Sequence, residues 1–404
     1  MAHPDYMTAL PQMWTGESTL RAASSTEVDS RTTRVLVADD QSDVREALQL
    51  LLKGDGYETK LVSGPASLLE SLQSESYDLV LLDMNYARDT TSGREGLDLV
   101  TQIHRLDPSL PIVVMTAWSN VELAVDAMRR GACDFLEKPW VNRQVLASVR
   151  SHIERQQGLR RKQQRWDEEL DEAVRIQRRL LPGRLPQLPG CQVAGSSRPA
   201  SFVGGDYFDV VLADGKLALC VADVAGKGLP AALLMANLQA ALKPQMLQGT
   251  NPAELCRQLN HVIQHATLAG KFISSFHALY QPESRRLAYC NAGHLPPMLI
   301  HRDGTYERLA NGGAVLGYFR DWNYQQHEVF LEPGSRLLLF SDGITEACNP
   351  SGEEFGEERL VCLATENRTL GARELQHEIL AALMAHCDGQ PQDDATLLVI
   401  AVDK

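Results

Sequence analysis

The eight cysteines of this 404-residue sequence, at 133, 191, 220, 256, 290, 348, 362 and 387, include no Cys-x-x-Cys pair. That scatter excludes a zinc ribbon or a disulfide framework, and the thiols read as reduced residues of a cytoplasmic protein. No apolar run approaches the roughly 18 residues of a membrane span. The first 34 residues lack a basic start followed by an apolar core, so no secretory signal is expected. Basic residues are also in deficit: 39 Lys and Arg stand against 52 Asp and Glu, a formal charge of −13. Nucleic acid is thereby excluded as the main partner, because phosphate backbones are gripped by basic surfaces.

What is present is length and ordinary composition, with 44% hydrophobic and 23% charged residues, enough for two or three domains with their own cores. Residues 1–33 are polar and without periodicity, a flexible tail. From Val35, five short apolar runs alternate with amphipathic segments up to Ile153. That alternation predicts a doubly wound α/β domain with a parallel five-stranded sheet over 34–153, its function at the carboxyl ends of the strands. Those ends hold Asp39, Asp40, Asp83, Thr116 and Lys138. Asp39 and Asp40 suit a Mg²⁺ beside Asp83, whose carboxylate can attack a phosphoryl donor. Thr116 can hydrogen-bond the new phosphoryl oxygen and Lys138 can neutralise it.

Residues 154–181 form a helical linker, basic at first. Trp166, Leu170, Val174, Gln177 and Leu181 then fall on one stripe. A two-stranded coiled coil and packing on the chain's own second domain are equal readings of it. Residues 182–404 mix strands and helices in a pattern that suggests an α+β sandwich. Within them Asp206, Asp223, Asp342 and the pair Asp393–Asp394 stand at the ends of apolar runs, most beside glycine. One such site alone is a turn. Four from separate strands suit two Mg²⁺ or Mn²⁺ ions, which take carboxylates rather than thiolates or imidazoles. Strand alternation leaves open which of Asp393 and Asp394 faces the metal. Lys227 precedes a helix, where it can touch a phosphate or stay solvated. His294 reads as a turn-stabilising histidine or a general acid.

Two family resemblances follow. Asp39–Asp40, Asp83, Thr116, Phe135 and Lys138–Pro139 resemble the receiver domain of two-component response regulators. The resemblance implies phosphorylation at Asp83 by a sensor histidine kinase, a Mg²⁺ shell completed by the Asn85 carbonyl, a switch through Thr116 and Phe135, and a cis Lys138–Pro139 bond. In place of the usual tight turn after Asp83, residues 84–95 make a longer polar loop.

The second set is Gln177-Arg-Arg-Leu-Leu-Pro182, Val203-Gly-Gly-Asp-Tyr-Phe-Asp209, Val221-Ala-Asp-Val-Ala-Gly-Lys-Gly228, Asn291-Ala-Gly-His294, Ser341-Asp-Gly343 and Asp393-Asp-Ala-Thr396. It resembles the SpoIIE-like branch of PPM-type serine/threonine phosphatases. That implies an αββα sandwich and two Mn²⁺ or Mg²⁺ ions on Asp206, Asp223, the Val224 carbonyl, Asp342 and Asp393. Asp206 and Asp223 are then catalytic, and the substrate is a phosphoserine or phosphothreonine protein, by resemblance an anti-sigma factor antagonist. Ser201 and Phe202 stand where eukaryotic members carry a phosphate-binding arginine. Together the resemblances imply a response regulator with a phosphatase output, a homodimer through the linker helix and no membrane partner. The alternative is a non-enzymatic adaptor binding a sigma-factor regulator; a transcription factor is disfavoured for want of a helix-turn-helix.

Overall fold

Leu79–Asp83 and Ile112–Thr116 are buried along their whole length, the signature of central parallel strands covered by helices on both faces. The computed structural model describes residues 32–86, 94–116, 121–267 and 270–403. It divides into two compact units, one ending at Glu168 and one running from Glu169 to the C-terminus. In the first, β1 (Arg34–Ala38), α1 (Ser42–Gly54), β2 (Glu58–Val62), α2 (Pro65–Ser74), β3 (Leu79–Asp83), α3 (Arg94–Leu106), β4 (Ile112–Thr116), α4 (Val121–Arg129) and β5 (Asp134–Glu137) alternate. The sheet order is β2-β1-β3-β4-β5, every pairing parallel. The expected doubly wound five-stranded domain is therefore present. The tail lies outside the described residues over 1–31, and the loop after Asp83 does so over 87–93.

The helix that closes this domain does not stop at Ile153. It continues as α5 (Asn142–Leu180), 39 residues long, where the sequence suggested a separate linker segment. No proline occurs in it and Gly158 is its one glycine, so nothing in the polar stretch after Ile153 breaks the hydrogen-bond ladder.

In the second unit, β6 (Cys191–Arg198), β7 (Tyr207–Ala213), β8 (Lys216–Val224), α6 (Gly228–Leu247), α7 (Pro252–Ala266), β9 (Ile273–Gln281), β10 (Arg286–Ala292), β11 (Met298–Ile300), β12 (Tyr306–Arg308), β13 (Gly312–Gly313), β14 (His327–Phe330), β15 (Arg336–Phe340), α8 (Asp342–Thr345), α9 (Glu357–Glu366), α10 (Ala372–His386) and β16 (Ala395–Val402) follow in order. One sheet runs β13-β10-β9-β8-β7 with β14 on β10, the other β12-β11-β15-β16-β6. Phe208, Val221 and Phe276 of the first sheet share a core with Leu339, Leu398 and Ile400 of the second. Met235 and Leu259, on α6 and α7, cover the outer face of the first sheet, while Leu360 and Leu383, on α9 and α10, cover that of the second. The result is the expected αββα sandwich. The eight cysteines are all free, five of them buried, with Cys362 exposed. No helix among the described residues is long and apolar enough to cross a membrane.

Candidate active site

Antiparallel pairing brings the start of one strand to the end of its neighbour, and this gathers the acids of the second unit. Tyr207 at the start of β7 pairs with Ala222 near the end of β8, so Asp206 and Asp223 meet at one rim of the first sheet. Phe340 at the end of β15 pairs with Leu397 near the start of β16, so Asp342 and Asp393 meet at one rim of the second. The carboxylates feel one another. Burial raises the Asp206 carboxyl well above its ordinary range and the Asp223 charge adds to this. Asp223 is pushed up to about 7, first by burial, then by the negative charges of Asp342, Asp393, Asp394 and Glu346. Asp342 is raised by burial and by Asp393.

Each acid has a distinct setting. Asp206 Oδ2 accepts the hydroxyls of Ser341 and Thr396, both at 2.6 Å, whereas its buried Oδ1 has no hydrogen-bond partner. Each Asp394 oxygen accepts a backbone amide: Oδ1 that of Ala200 at 2.8 Å and Oδ2 that of Gly205 at 2.6 Å. Asp393 accepts the Asp394 amide on Oδ1 at 2.9 Å and faces a cation with the other oxygen, Lys227 Nζ at 2.7 Å from Oδ2. An orphaned buried carboxylate oxygen, together with several acids that raise one another's pKa values, fits hard divalent cations.

The first unit carries a tighter cluster. Carboxylate oxygens of Asp39, Asp40 and Asp83 lie within 4.8 Å of one another, the one such group among the described residues. Lys138 Nζ sits 2.6 Å from Asp39 Oδ2 and 2.9 Å from Asp83 Oδ1. Burial nonetheless pushes Asp83 up to about 6, against the pull of Lys138 and with the help of Asp39 and Asp40. Thr116 is buried at the end of β4, and its carbonyl accepts the Lys138 amide at 2.7 Å. Phe135 lies on β5 with half its surface exposed. Asn85 follows β3, half-buried, and the Lys138–Pro139 bond is cis.

Residues 213–403 match the family described as Stage II sporulation protein E (SpoIIE), and residues 35–150 match the response regulator receiver domain. The phosphoserine phosphatase RsbU of Bacillus subtilis (strain 168) is 34% identical over 245 residues, covering 60% of this chain and 73% of RsbU. The chain belongs to the SpoIIE family of phosphatases. It is a PPM-type phosphatase preceded by a receiver domain. The SiaA-PP2C domain of Pseudomonas aeruginosa shares its fold at a TM-score of 0.52 and 24% identity, over 60% of this chain and 98% of that one. The transcriptional regulatory protein ZraR of Escherichia coli (strain K12) is 38% identical over 105 residues, which span 26% of this chain and 23% of ZraR.

In this SpoIIE-family site the structure brings Asp206, Asp223, Asp342 and Asp393 together, with Val224 next in chain to Asp223, and sets Lys227 against Asp393. His294 stands apart. Its Nδ1 lies 2.9 Å from Ser274 Oγ and its Nε2 3.1 Å from the Phe340 carbonyl, and it is buried. A carbonyl only accepts, so Nε2 keeps its proton there, and the general-acid reading gives way to a structural one. One residue near the acids, Glu346, was missed in the sequence. Glu346, whose carboxyl is raised by burial and by Asp342, sits one helical turn after Asp342, a spacing that could have flagged it. The backbone-clamping role of Asp394 had no signal beyond its glycine-rich partner loop.

Proposed function

We propose that phosphoryl transfer to Asp83 from a sensor histidine kinase controls hydrolysis of phosphoserine or phosphothreonine on a protein substrate at the SpoIIE-family site. The unpartnered Oδ1 of buried Asp206 beside Asp223 carries this reading: it is an acceptor that the chain itself leaves unfilled. Asp206, Asp223, the Val224 carbonyl, Asp342 and Asp393 would hold two Mn²⁺ or Mg²⁺ ions. Bound there, such ions polarise a phosphoryl oxygen and acidify a water. The chain's own part is positional. Ser341 and Thr396 fix one face of the Asp206 carboxylate, the amides of Ala200 and Gly205 fix Asp394, and Lys227 offers a cation at the rim for an incoming phosphate.

In the receiver, Asp39 and Asp40 would hold Mg²⁺ with the Asn85 carbonyl, Asp83 takes the phosphoryl group, and Lys138 and Thr116 receive its charge. Phe135, exposed beside them, is the group free to move when Thr116 engages. By the resemblance to SpoIIE-like phosphatases, the substrate in this reading is a phosphorylated anti-sigma factor antagonist. A second copy of the chain meeting it along α5 is part of the same proposal.

The test is hydrolysis of an aryl phosphate with Mn²⁺ by wild type and Asp223→Asn, each with and without beryllofluoride. Activity lost in Asp223→Asn and altered by beryllofluoride supports both halves. Wild-type activity that Asp223→Asn retains would remove the site.

A further inference from the structure

Gln177 belongs to the Gln-Arg-Arg-Leu-Leu-Pro run and takes no part in the chemistry above. Its side chain nevertheless makes two bonds to a single backbone unit 27 residues away: Nε2 donates to the Gly204 carbonyl at 2.7 Å, and the Gly204 amide donates to Oε1 at 3.0 Å. A side-chain amide gives and takes at once across that gap without any change of charge. Gln177 is in the last turn of α5, and Gly204 lies two residues before Asp206.

The loop it holds leads into the acid cluster. The next amide, that of Gly205, donates to Asp394 Oδ2, and the Asp394 carboxylate lies so close that a Cβ on Gly204 would come within 2.3 Å of it. Leu180 and Leu181, just beyond Gln177, pack into the sandwich cores and set the rotation of this turn. A turn by one residue, about 100° for 3.6 residues per turn, would carry the amide off Gly204. The bond to Gly204 also does not cap α5, since neither partner is one of its terminal carbonyls.

We propose that Gln177 is a positioning residue: through its two-point grip on Gly204 the end of α5 holds Asp206 and Asp394 in the arrangement that binds divalent cations. The proposal rests on the reading of the acid cluster as a cation site. Loss of the grip loosens the 200–206 loop and weakens cation binding without removing any acid.

The experiment uses the full-length chain, with Asp39→Asn and Asp40→Asn in every protein so that the receiver site does not take the ion, and MnCl₂ alone, with calorimetric titration, a thermal midpoint for each variant, and aryl-phosphate hydrolysis alongside. Gln177→Met keeps the length and removes both bonds; Gln177→Glu keeps the acceptor and sets a carboxylate oxygen against the Gly204 carbonyl. Each is expected to raise the Mn²⁺ Kd about tenfold, the effect of one to two net hydrogen bonds. Arg178→Gln, on the exposed side of the same turn, is expected to leave it unchanged. A Gln177→Met protein that binds Mn²⁺ like wild type overturns the proposal, and so does a lowered thermal midpoint with an unchanged Kd, which would make Gln177 a helix anchor only. Wild-type Mn²⁺ binding by Asp223→Asn would instead refute the cation site itself.

Discussion

The Lys227 ammonium lies 2.7 Å from Asp393 Oδ2 and lowers the pKa of Asp342 as well, so one exposed cation sits on the rim of a cluster of acids. The contact with Asp393 raises the Lys227 pKa in return. On the proposed phosphatase reading, a substrate phosphate reaching Asp393 would meet this ammonium. Lys227→Met is expected to raise KM for an aryl phosphate about tenfold while kcat changes less, and Lys227→Arg to retain most of the binding. Steady-state kinetics in saturating Mn²⁺ decide it; a fall in kcat at constant KM would move the lysine from phosphate binding to the transition state.

The Ser341-Asp-Gly343 turn tolerates no side chain at its last position. A Cβ on Gly343 would lie 2.1 Å from the Asp394 carbonyl oxygen, a backbone atom that cannot swing aside. Gly343→Ala is expected to cost about 2–3 kcal/mol and to weaken Mn²⁺ binding, since Asp394 and its neighbour Asp393 must shift. Gly158→Ala meets nothing within 4 Å and is expected to stabilise α5 by about 0.5–1 kcal/mol. Thermal midpoints of the two variants should therefore move in opposite directions.

Strand-end acids were legible because they break a rule: Asp83 and Asp223 close apolar runs where a core would want leucine. The antiparallel arrangement that makes neighbours of Asp206 and Asp223 was implied by spacing, whereas the convergence of two sheets on one rim is a tertiary fact. Asp393 and Asp394 could not be separated in the sequence, because what distinguishes their settings is a pair of amides on Asp394 from Ala200 and Gly205, 194 and 189 positions earlier. The stretch 155–165 was legible as part of a helical linker, but its continuity with the helix before it was not, because it lacks apolar periodicity and continuity needs only the absence of helix breakers. For His294 the turn-stabilising reading was legible, whereas its partners Ser274 and the Phe340 carbonyl come from strands that no local pattern ties to it.

Asp209 belongs to the same motif as Asp206 and has a different task. Buried on β7, it accepts the Tyr207 hydroxyl at 2.8 Å and pairs through the same oxygen with Lys243 of α6, the helix that follows the Asp223 loop. Removing one partner of such a pair strands the other. Asp209→Asn is expected to lower stability by about 2–4 kcal/mol and to leave the Mn²⁺ Kd of the folded protein unchanged. Denaturant melts and Mn²⁺ titration of the same variant separate this from a ligand role, which would abolish binding while sparing the fold.

The buried His294 ring makes a prediction about acid. Burial pushes its pKa down to about 4, against a smaller upward pull from the Phe340 carbonyl, while an unfolded histidine titrates near 6.5. The unfolded chain therefore takes up a proton that the native one refuses. Stability is complete above about pH 6.5 and is lost as pH falls toward about 4, at up to about 1.4 kcal/mol per pH unit. His277, also buried and pushed down to about 3, adds a loss of the same sign. Raised carboxyls such as Asp223 act in the opposite sense, so the histidine contribution must be read as a difference between proteins. Urea midpoints followed from about pH 7 to about pH 4.5 should fall more steeply for wild type than for His294→Gln, by close to one proton's slope. Parallel curves would mean that the native ring accepts the proton in place, and that the bond from Nε2 to the Phe340 carbonyl is not what holds this turn against the strand.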